Sequence, residues 1–341
     1  GKIRESGRVT NLRRYEAEPE ESYETASAAT RDLKCETWLG LSRDIRIFSV
    51  GFRGVGGVER LWDWVQPRFH GHEVPLPEND GKPVRYHYMI GRGIGAAEGV
   101  SRRLEDGVLP ILHTQVTDEE IVYQVTTLVS YEKTALTADN LRGTHYLVAD
   151  GYGHGHMLTE EQAKHRESLL PAEMNQAEET VLYCRIQASN TAAVPRYAWF
   201  KNLIPNGWVL GAGRSYSFDG RRGFASYGPG RVFCVSKWNG KPLPREENAV
   251  LLQPGESAVF EFYLPHHPIS EERAEQLMAR DFEAVRAEVR KFWQDKLAKA
   301  ARVELPEKRI EEMVRAGLLH LDLVAYGLEP EGTVVPTIGV Y

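Results

Sequence analysis

A chain of 341 residues can form one large domain and a smaller one, and its 42% hydrophobic and 26% charged residues are ordinary for a folded protein. Its net charge of −6 argues against a general nucleic-acid-binding protein, which is usually basic. Three cysteines without a CxxC motif form neither a disulfide framework nor a zinc ribbon. No apolar run approaches the ~20 residues that span a bilayer, so no membrane partner is expected.

Short β-rich segments begin after a polar arm, which we place at residues 1–31. The stretches "CETWLGL" and "DIRIFSVG" come first, and a hairpin follows in which "VLPILHTQV" and "IVYQVTTLVS" flank the turn "TDEE". Apolar and β-branched residues alternate in the second arm of this hairpin, which favours a strand over a helix. The acidic turn 118–120 and the neighbouring pair Glu105 and Asp106 are interpreted as solvated charge.

Further strands are predicted along the chain. Alternation recurs in "TVLYCRIQASN" and "SAVFEFYLP", "RVFCVSKW" precedes the turn "NGKP", and one helix is predicted at 159–177, where Thr159 precedes Glu160 and Glu161. Many strands, few helices and no internal repeat predict a mainly β fold, a large antiparallel sandwich.

The hydrophobic period changes at Ser270, a candidate N-cap that Glu271 and Glu272 follow. An apolar stripe then predicts one long helix over 270–300. A second helix is predicted from Pro306 to Gly327. The final stretch, 333–341, has no charged side chain, so we expect it to be buried by helices outside this chain.

This order of elements resembles glycoside hydrolases and phosphorylases that place an N-terminal β-super-sandwich before a six-hairpin (α/α)6 barrel, such as bacterial glucoamylases and disaccharide phosphorylases. The stretches that carry the resemblance are "CETWLGL", "LEDGVLPILHTQVTDEEIVYQVTTLVS", "VLYCRIQASNTAAVPR", "LLQPGESAVFEFYLPHHPIS", "FWQDKL" and "VELPEKRIEEMVRAGLLHL". The resemblance implies a super-sandwich at 32–268, a linker helix at 269–303, and at 304–341 the first segment of a barrel completed elsewhere.

The resemblance also implies a function. The chain would be the N-terminal part of a carbohydrate-active enzyme, most similar to a glycoside hydrolase, with its catalytic carboxylates beyond this chain. We therefore assign no catalytic residue and no cofactor, and expect the chain alone to be inactive. The expected partners are a carbohydrate and the rest of the barrel, for example as a second chain. Homo-oligomerisation and localisation stay open.

Two other functions compete with this interpretation. One is a non-catalytic carbohydrate-binding or assembly module. The other is a mutarotase-like sugar epimerase, because mutarotases also use a large sandwich with His and Glu residues. The sequence gives neither the sugar nor the linkage.

Aromatic residues in loops are the best signal for a sugar site, because sugar rings present apolar C–H faces that pack on aromatic planes. The candidates are Tyr197, Trp199 and Trp208 in "PRYAWFKNLIPNGW", and Tyr341 in the tail. The competing interpretation is that these aromatics, like Trp62, Trp64 and Phe200, fill the core.

Histidine pairs raise the question of a metal. His154 and His156, with Asp150 as an oxygen donor, are weak candidates in the glycine-rich stretch "DGYGHGHM", and His70 and His72 form a second His-x-His pair. The glycines indicate a loop and no carboxylate falls at a signature spacing. The sequence therefore predicts no metal site.

Overall fold

The computed structural model describes residues 35–51, 63–92, 97–152, 158–205, 216–327 and 335–336, together with Arg13 and Ala17. The chain separates into residues 1–32 and residues 33–341, and the fold below is that of the second unit. The predicted arm at 1–31 lies almost entirely outside the described residues. Within them, no helix is both long and apolar enough to cross a membrane.

Two antiparallel sheets contain most of the described strands. The first sheet has the order β1-β2-β3-β7-β12-β17, with β4 beside β3, and the second has the order β13-β14-β15-β18-β11-β10-β9-β8, with β16 beside β15. Two small sheets pair β5 with β6 and β19 with β20. The strands are β1 (Thr37–Gly40), β2 (Arg46–Val50), β3 (Asp63–Phe69), β4 (His72–Glu73), β5 (Pro75–Leu76), β6 (Lys82–Pro83), β7 (Tyr86–Ile90), β8 (Ala97–Glu105), β9 (Leu109–Asp118), β10 (Ile121–Tyr131), β11 (Thr180–Asn190), β12 (Arg196–Pro205), β13 (Ser217–Asp219), β14 (Phe224–Ser226), β15 (Val232–Trp238), β16 (Lys241–Pro242), β17 (Glu247–Leu252), β18 (Ser257–Pro265), β19 (Ala325–Tyr326) and β20 (Val335–Pro336).

The two sheets pack face to face around a continuous apolar core. Phe200 on β12 stacks on Phe260 of β18 with ring centroids 4.7 Å apart, and Tyr88 on β7 meets Phe262 of β18 at 5.0 Å. Because these pairs cross from one sheet to the other, they define the inner layer of a sandwich. The prediction of a mainly β, large antiparallel sandwich followed by helices is confirmed.

The predicted hairpin is confirmed as β9 and β10, which pair from Ile121 opposite Asp118 onward. Glu119 takes a positive φ of 51° in the turn between them. The interpretation of this turn as solvated charge was wrong for Asp118, which is buried and bonded to Arg92, with an ion-pair distance of 2.9 Å.

Five described helices accompany the sheets: α1 (Tyr146–Asp150), α2 (Glu160–Met174), α3 (Glu271–Met278), α4 (Phe282–Lys299) and α5 (Lys308–Leu323), with a 3-10 turn at Pro77–Asn79. The helix predicted at 159–177 is α2. Thr159 and Gln162 form a capping box at its start, each side chain bonding the backbone N–H of the other residue.

The single helix predicted over 270–300 is in fact two. Ser270 caps α3 as expected, but α3 ends at Met278 and α4 begins at Phe282. Asp281 caps the second helix by accepting a bond from the Ala284 N–H at 2.8 Å. Lys237, from β15, donates to the Arg280 carbonyl at 2.6 Å, which stabilises the carbonyl at the break.

Helix α4 joins the helical segment to the sandwich. Its buried residues lie on one face, which contacts β9 and β10: Phe282, Val285, Val289, Phe292 and Trp293. Glu105, on β8, also binds this helix, with distances of 2.8 Å to Arg286 and 3.2 Å to Arg290. Glu105 is therefore buried and paired, and its interpretation as solvated was wrong.

The charge of Glu105 is set by these partners. Burial would raise the pKa of its carboxyl, but hydrogen bonds from His113 and Arg286, together with their charges, outweigh that effect and lower the pKa to about 2. The anchor between the sandwich and α4 is therefore ionic at neutral pH.

Helix α5 begins at Lys308 and ends at Leu323, within the predicted range 306–327, and the short strand β19 follows it. Gly327 therefore does not end the helix. In the predicted buried tail, Val335–Pro336 pair with β19, and the other residues of 333–341 lie outside the described residues.

Candidate functional site

An aromatic pair stands on the outer face of the first sheet. Tyr197 and Trp199 on β12 are 53% and 39% exposed, and their ring centroids lie 6.2 Å apart. Because side chains alternate along a strand, the intervening Ala198 and the following Phe200 point into the core, where both are buried. The alternation of side chains along β12 therefore places Tyr197 and Trp199 on the solvent side and Ala198 and Phe200 in the core.

A third apolar side chain extends this surface. Leu251, on β17, lies directly opposite Tyr197 in the strand pairing and is 47% exposed. Residues opposite each other in an antiparallel pair share a face. We call Tyr197, Trp199 and Leu251 the aromatic platform. Leu251 was not predicted from the sequence, because the run of four apolar residues at 249–252 does not show which of them face solvent.

The backbone beneath the platform is held from two directions. The Trp199 N–H donates to the hydroxyl oxygen of Tyr123 at 2.8 Å, and Tyr123 is a buried residue of the second sheet. The Trp199 carbonyl accepts a bond from the Gly91 N–H at 3.1 Å. These bonds place the indole on rigid backbone, which limits the entropy lost when a ligand stacks on it.

Two ion pairs involve β12, the strand that carries two of the platform residues. Arg196 precedes Tyr197 and binds Glu120 at 3.0 Å, while Lys201 pairs with Glu247 on β17. The hydrogen bond from Arg196 lowers the pKa of Glu120 and keeps it ionised. Since each carboxylate has a cationic partner, these acids can accept hydrogen bonds from a ligand but are poorly suited to donate a proton to it.

The remaining sequence candidates have varied outcomes. Trp208, Tyr341, His154 and His156 lie outside the described residues, as does Trp62. Asp150 ends α1. Phe200 and Trp64 are buried, as the core interpretation expected, and Arg85 lies 4.0 Å above the Trp64 ring.

The second histidine pair does not form a site. His70 is buried, its Nδ1 lies 2.7 Å from the Tyr326 hydroxyl, and the two rings stack. Burial lowers the pKa of His70 to about 4, so that it is neutral at physiological pH. His72 lies on β4 and is partly exposed. These contacts give His70 a role in packing β19 against the sandwich.

No family model, curated protein or solved structure matches this chain.

Proposed function

We propose that this chain is the sandwich and linker part of a carbohydrate-active enzyme, most similar to a glycoside hydrolase, with the catalytic carboxylates outside the chain. The observation that carries the proposal is the aromatic platform, on which Tyr197 and Trp199 present two neighbouring rings to solvent. Flat aromatic faces beside charged groups match the two sides of a sugar, its C–H face and its hydroxyls.

The exposed face of α5 supports the part of the proposal in which the rest of a helical barrel lies outside this chain. Four apolar side chains at helical spacing are 37–57% exposed: Ile310, Met313, Val314 and Leu321. On the other side, Leu319 and Leu323 are buried, and the helix contacts α4 and β9. A helix that is apolar on both sides is typical of one packed between two layers. The proposed second layer is the rest of the helical barrel.

A non-catalytic carbohydrate-binding module would use the same platform and is the second candidate. The mutarotase-like alternative has less support. Its His–Glu pair exists at His113 and Glu105, whose side-chain atoms lie 2.9 Å apart, but Arg286 and Arg290 bind the same carboxylate. That arrangement favours a structural anchor over a proton-transfer pair.

Binding to soluble polysaccharides tests the platform. We expect the purified chain to be retarded in affinity electrophoresis by at least one member of a panel of α- and β-glucans, xylans and mannans. Tyr197→Ala and Trp199→Ala should each weaken that binding by about tenfold, the effect of ~1.4 kcal/mol, which is near the upper end for an aromatic contact.

Tyr146→Ala is the matched control, because Tyr146 is a comparably exposed aromatic on α1, 43% exposed. It should retain wild-type retardation. Binding that survives both platform substitutions, or no retardation by any polysaccharide, would show that the platform is not a sugar site.

An activity assay of the isolated chain tests whether the catalytic carboxylates lie outside it, independently of sugar binding. We expect no turnover of a panel of aryl glycosides, because the resembled enzymes carry their catalytic carboxylates in the barrel. Turnover that a single Asp or Glu substitution within the chain abolishes would contradict this expectation. Sugar binding without turnover agrees with the proposal, and turnover by the complete reading frame would then favour the enzyme over the module.

A further inference from the structure

Two histidines and a glutamate converge where the second sheet gives way to the helices. His266 and His267 follow β18, and Glu179 immediately precedes β11, its neighbour in the sheet. The Nδ1 atoms of the two histidines lie 3.3 Å apart, and His267 Nδ1 lies 3.6 Å from the Glu179 Oε2 atom. One nitrogen or oxygen atom from each residue lies within 4.8 Å of the other two.

The orientation of His266 is fixed by its other nitrogen. His266 Nε2 lies 2.9 Å from the Arg68 carbonyl oxygen, which can only accept, so Nε2 carries the hydrogen. Because a neutral imidazole carries one hydrogen, Nδ1 then has a lone pair that can bind a metal or accept the hydrogen of His267 Nδ1. Metal-binding histidines commonly donate their second N–H to a carbonyl in this way.

The separation of the two imidazole nitrogens, 3.3 Å, is long for a hydrogen bond and matches two ligands of one tetrahedral metal. One proton on His267 Nδ1 can serve His266 or Glu179, but not both, and 3.6 Å exceeds an ordinary hydrogen bond. Two ligands of a tetrahedral zinc ion, each ~2.0–2.1 Å from the metal, lie about 3.3–3.4 Å apart. The observed 3.3 Å between the imidazoles is that separation.

Charge and packing around the cluster are compatible with a cation. Arg46 lies near His266, and Arg142 and Arg273 lie near Glu179. Each is already paired, Arg46 and Arg142 with Asp44, and Arg273 with Glu132. Phe69 lies 5.1 Å from the His266 ring and 5.9 Å from the His267 ring, measured between centroids. His267 is 28% exposed, which leaves an entry path.

We propose that Glu179, His266 and His267 bind a divalent transition metal of the zinc class, with a fourth position open to solvent. Imidazole and carboxylate ligands suit Zn²⁺ and Co²⁺, whereas Mg²⁺ and Ca²⁺ prefer all-oxygen sites. The metal would join the start of β11 to the segment that leads from β18 into α3. This proposal does not depend on the carbohydrate function.

Cobalt binding to the full chain, freed of metal by a chelator, tests the site. We expect one Co²⁺ per chain with the visible absorption of a tetrahedral or five-coordinate ion, its displacement by Zn²⁺, and no competition from Mg²⁺ or Ca²⁺. His267→Ala and Glu179→Gln should each weaken metal binding by more than about 100-fold, since loss of an outer-shell partner alone costs 10–100-fold.

Two controls isolate this cluster. His113→Ala removes a histidine that binds one carboxylate and has no imidazole beside it. The double substitution His154→Ala, His156→Ala removes the pair that the sequence offered as weak metal candidates. Both proteins should bind Co²⁺ like the wild type. His266 is buried, so its substitution would perturb the fold as well as the metal site, and it is left out of the test. The proposal would be overturned if the wild-type chain bound no Co²⁺. It would also be overturned if the double substitution of His154 and His156 abolished binding while His267→Ala and Glu179→Gln left it unchanged.

Discussion

Replacing Trp293 by alanine should lower the free energy of unfolding by about 3–5 kcal/mol, the usual cost of deleting a large aromatic side chain from a core. Trp293 is fully buried in the face of α4 that packs on the second sheet. Its ring meets Phe292 edge to face, with centroids 5.1 Å apart. The substitution removes the largest side chain that joins the helix to the sandwich, and it leaves a cavity.

Urea unfolding of the isolated chain measures this effect. Far-UV circular dichroism monitors it, because this signal comes mainly from the backbone and does not rely on the tryptophan that is removed. Met313→Ala on α5 is the control, because Met313 is 57% exposed and should change the stability by less than about 0.5 kcal/mol. A loss of that small size for Trp293→Ala would mean that α4 does not depend on the sandwich for its stability.

The strands of the sandwich and the starts of two helices could be predicted from local sequence patterns. Period-two alternation located β10 and β11, and the hydroxyl residues Thr159 and Ser270 marked the starts of α2 and α3. These signals are local, because side-chain alternation and N-capping involve residues within a few positions of each other.

The break between α3 and α4 was missed for a physical reason. The apolar stripe continues in phase across residues 279–281, so periodicity alone predicts one helix. The structure stops the first helix where Lys237, distant in sequence, binds the Arg280 carbonyl, and Asp281 then caps the second. Such a tertiary contact has no local signature.

Burial of charge was missed in the same way. Glu105 and Asp118 look like turn residues, and both become buried because arginines from other parts of the chain bind them. On β12, alternation places Phe200 on one face and Tyr197 and Trp199 on the other. Only the second sheet, through Phe260 against Phe200, decides that Phe200 points inward and that Tyr197 and Trp199 remain outside.

The carboxylate of Asp44 joins distant segments of the chain from a buried position. Asp44 is fully buried, and its carboxylate lies 3.0 Å from Arg46 Nη1 and 2.8 Å from Arg142 Nη2. Arg46 also bonds the Glu173 carbonyl at the end of α2, and Arg142 bonds the Glu178 carbonyl at 2.7 Å. One carboxylate thus holds two guanidinium groups that tie α2 and its following loop to the sandwich.

Asp44→Asn should therefore lower the free energy of unfolding by about 3–5 kcal/mol, the cost of leaving a buried charge without its partner. Asparagine keeps the shape of the side chain and removes its charge, while Arg46 stays 2% exposed. Asp295→Asn is the matched control, because Asp295 pairs with Lys291 at an exposed site and should cost at most about 1 kcal/mol. Equal losses from the two substitutions would contradict the expectation.

The pH dependence of that loss identifies its cause. Burial would raise the pKa of Asp44, but the charges of Arg46 and Arg142 and their hydrogen bonds outweigh it and hold the pKa far below its ordinary 3.8. A carboxyl with a depressed pKa contributes stability above its unfolded pKa and loses that contribution as the pH falls toward the folded value. The stability difference between wild type and Asp44→Asn should thus be constant from about pH 7 to 5 and shrink below about pH 4. A difference that stays the same down to about pH 3 would mean that the loss comes from the changed hydrogen bonds of the side chain and not from its charge.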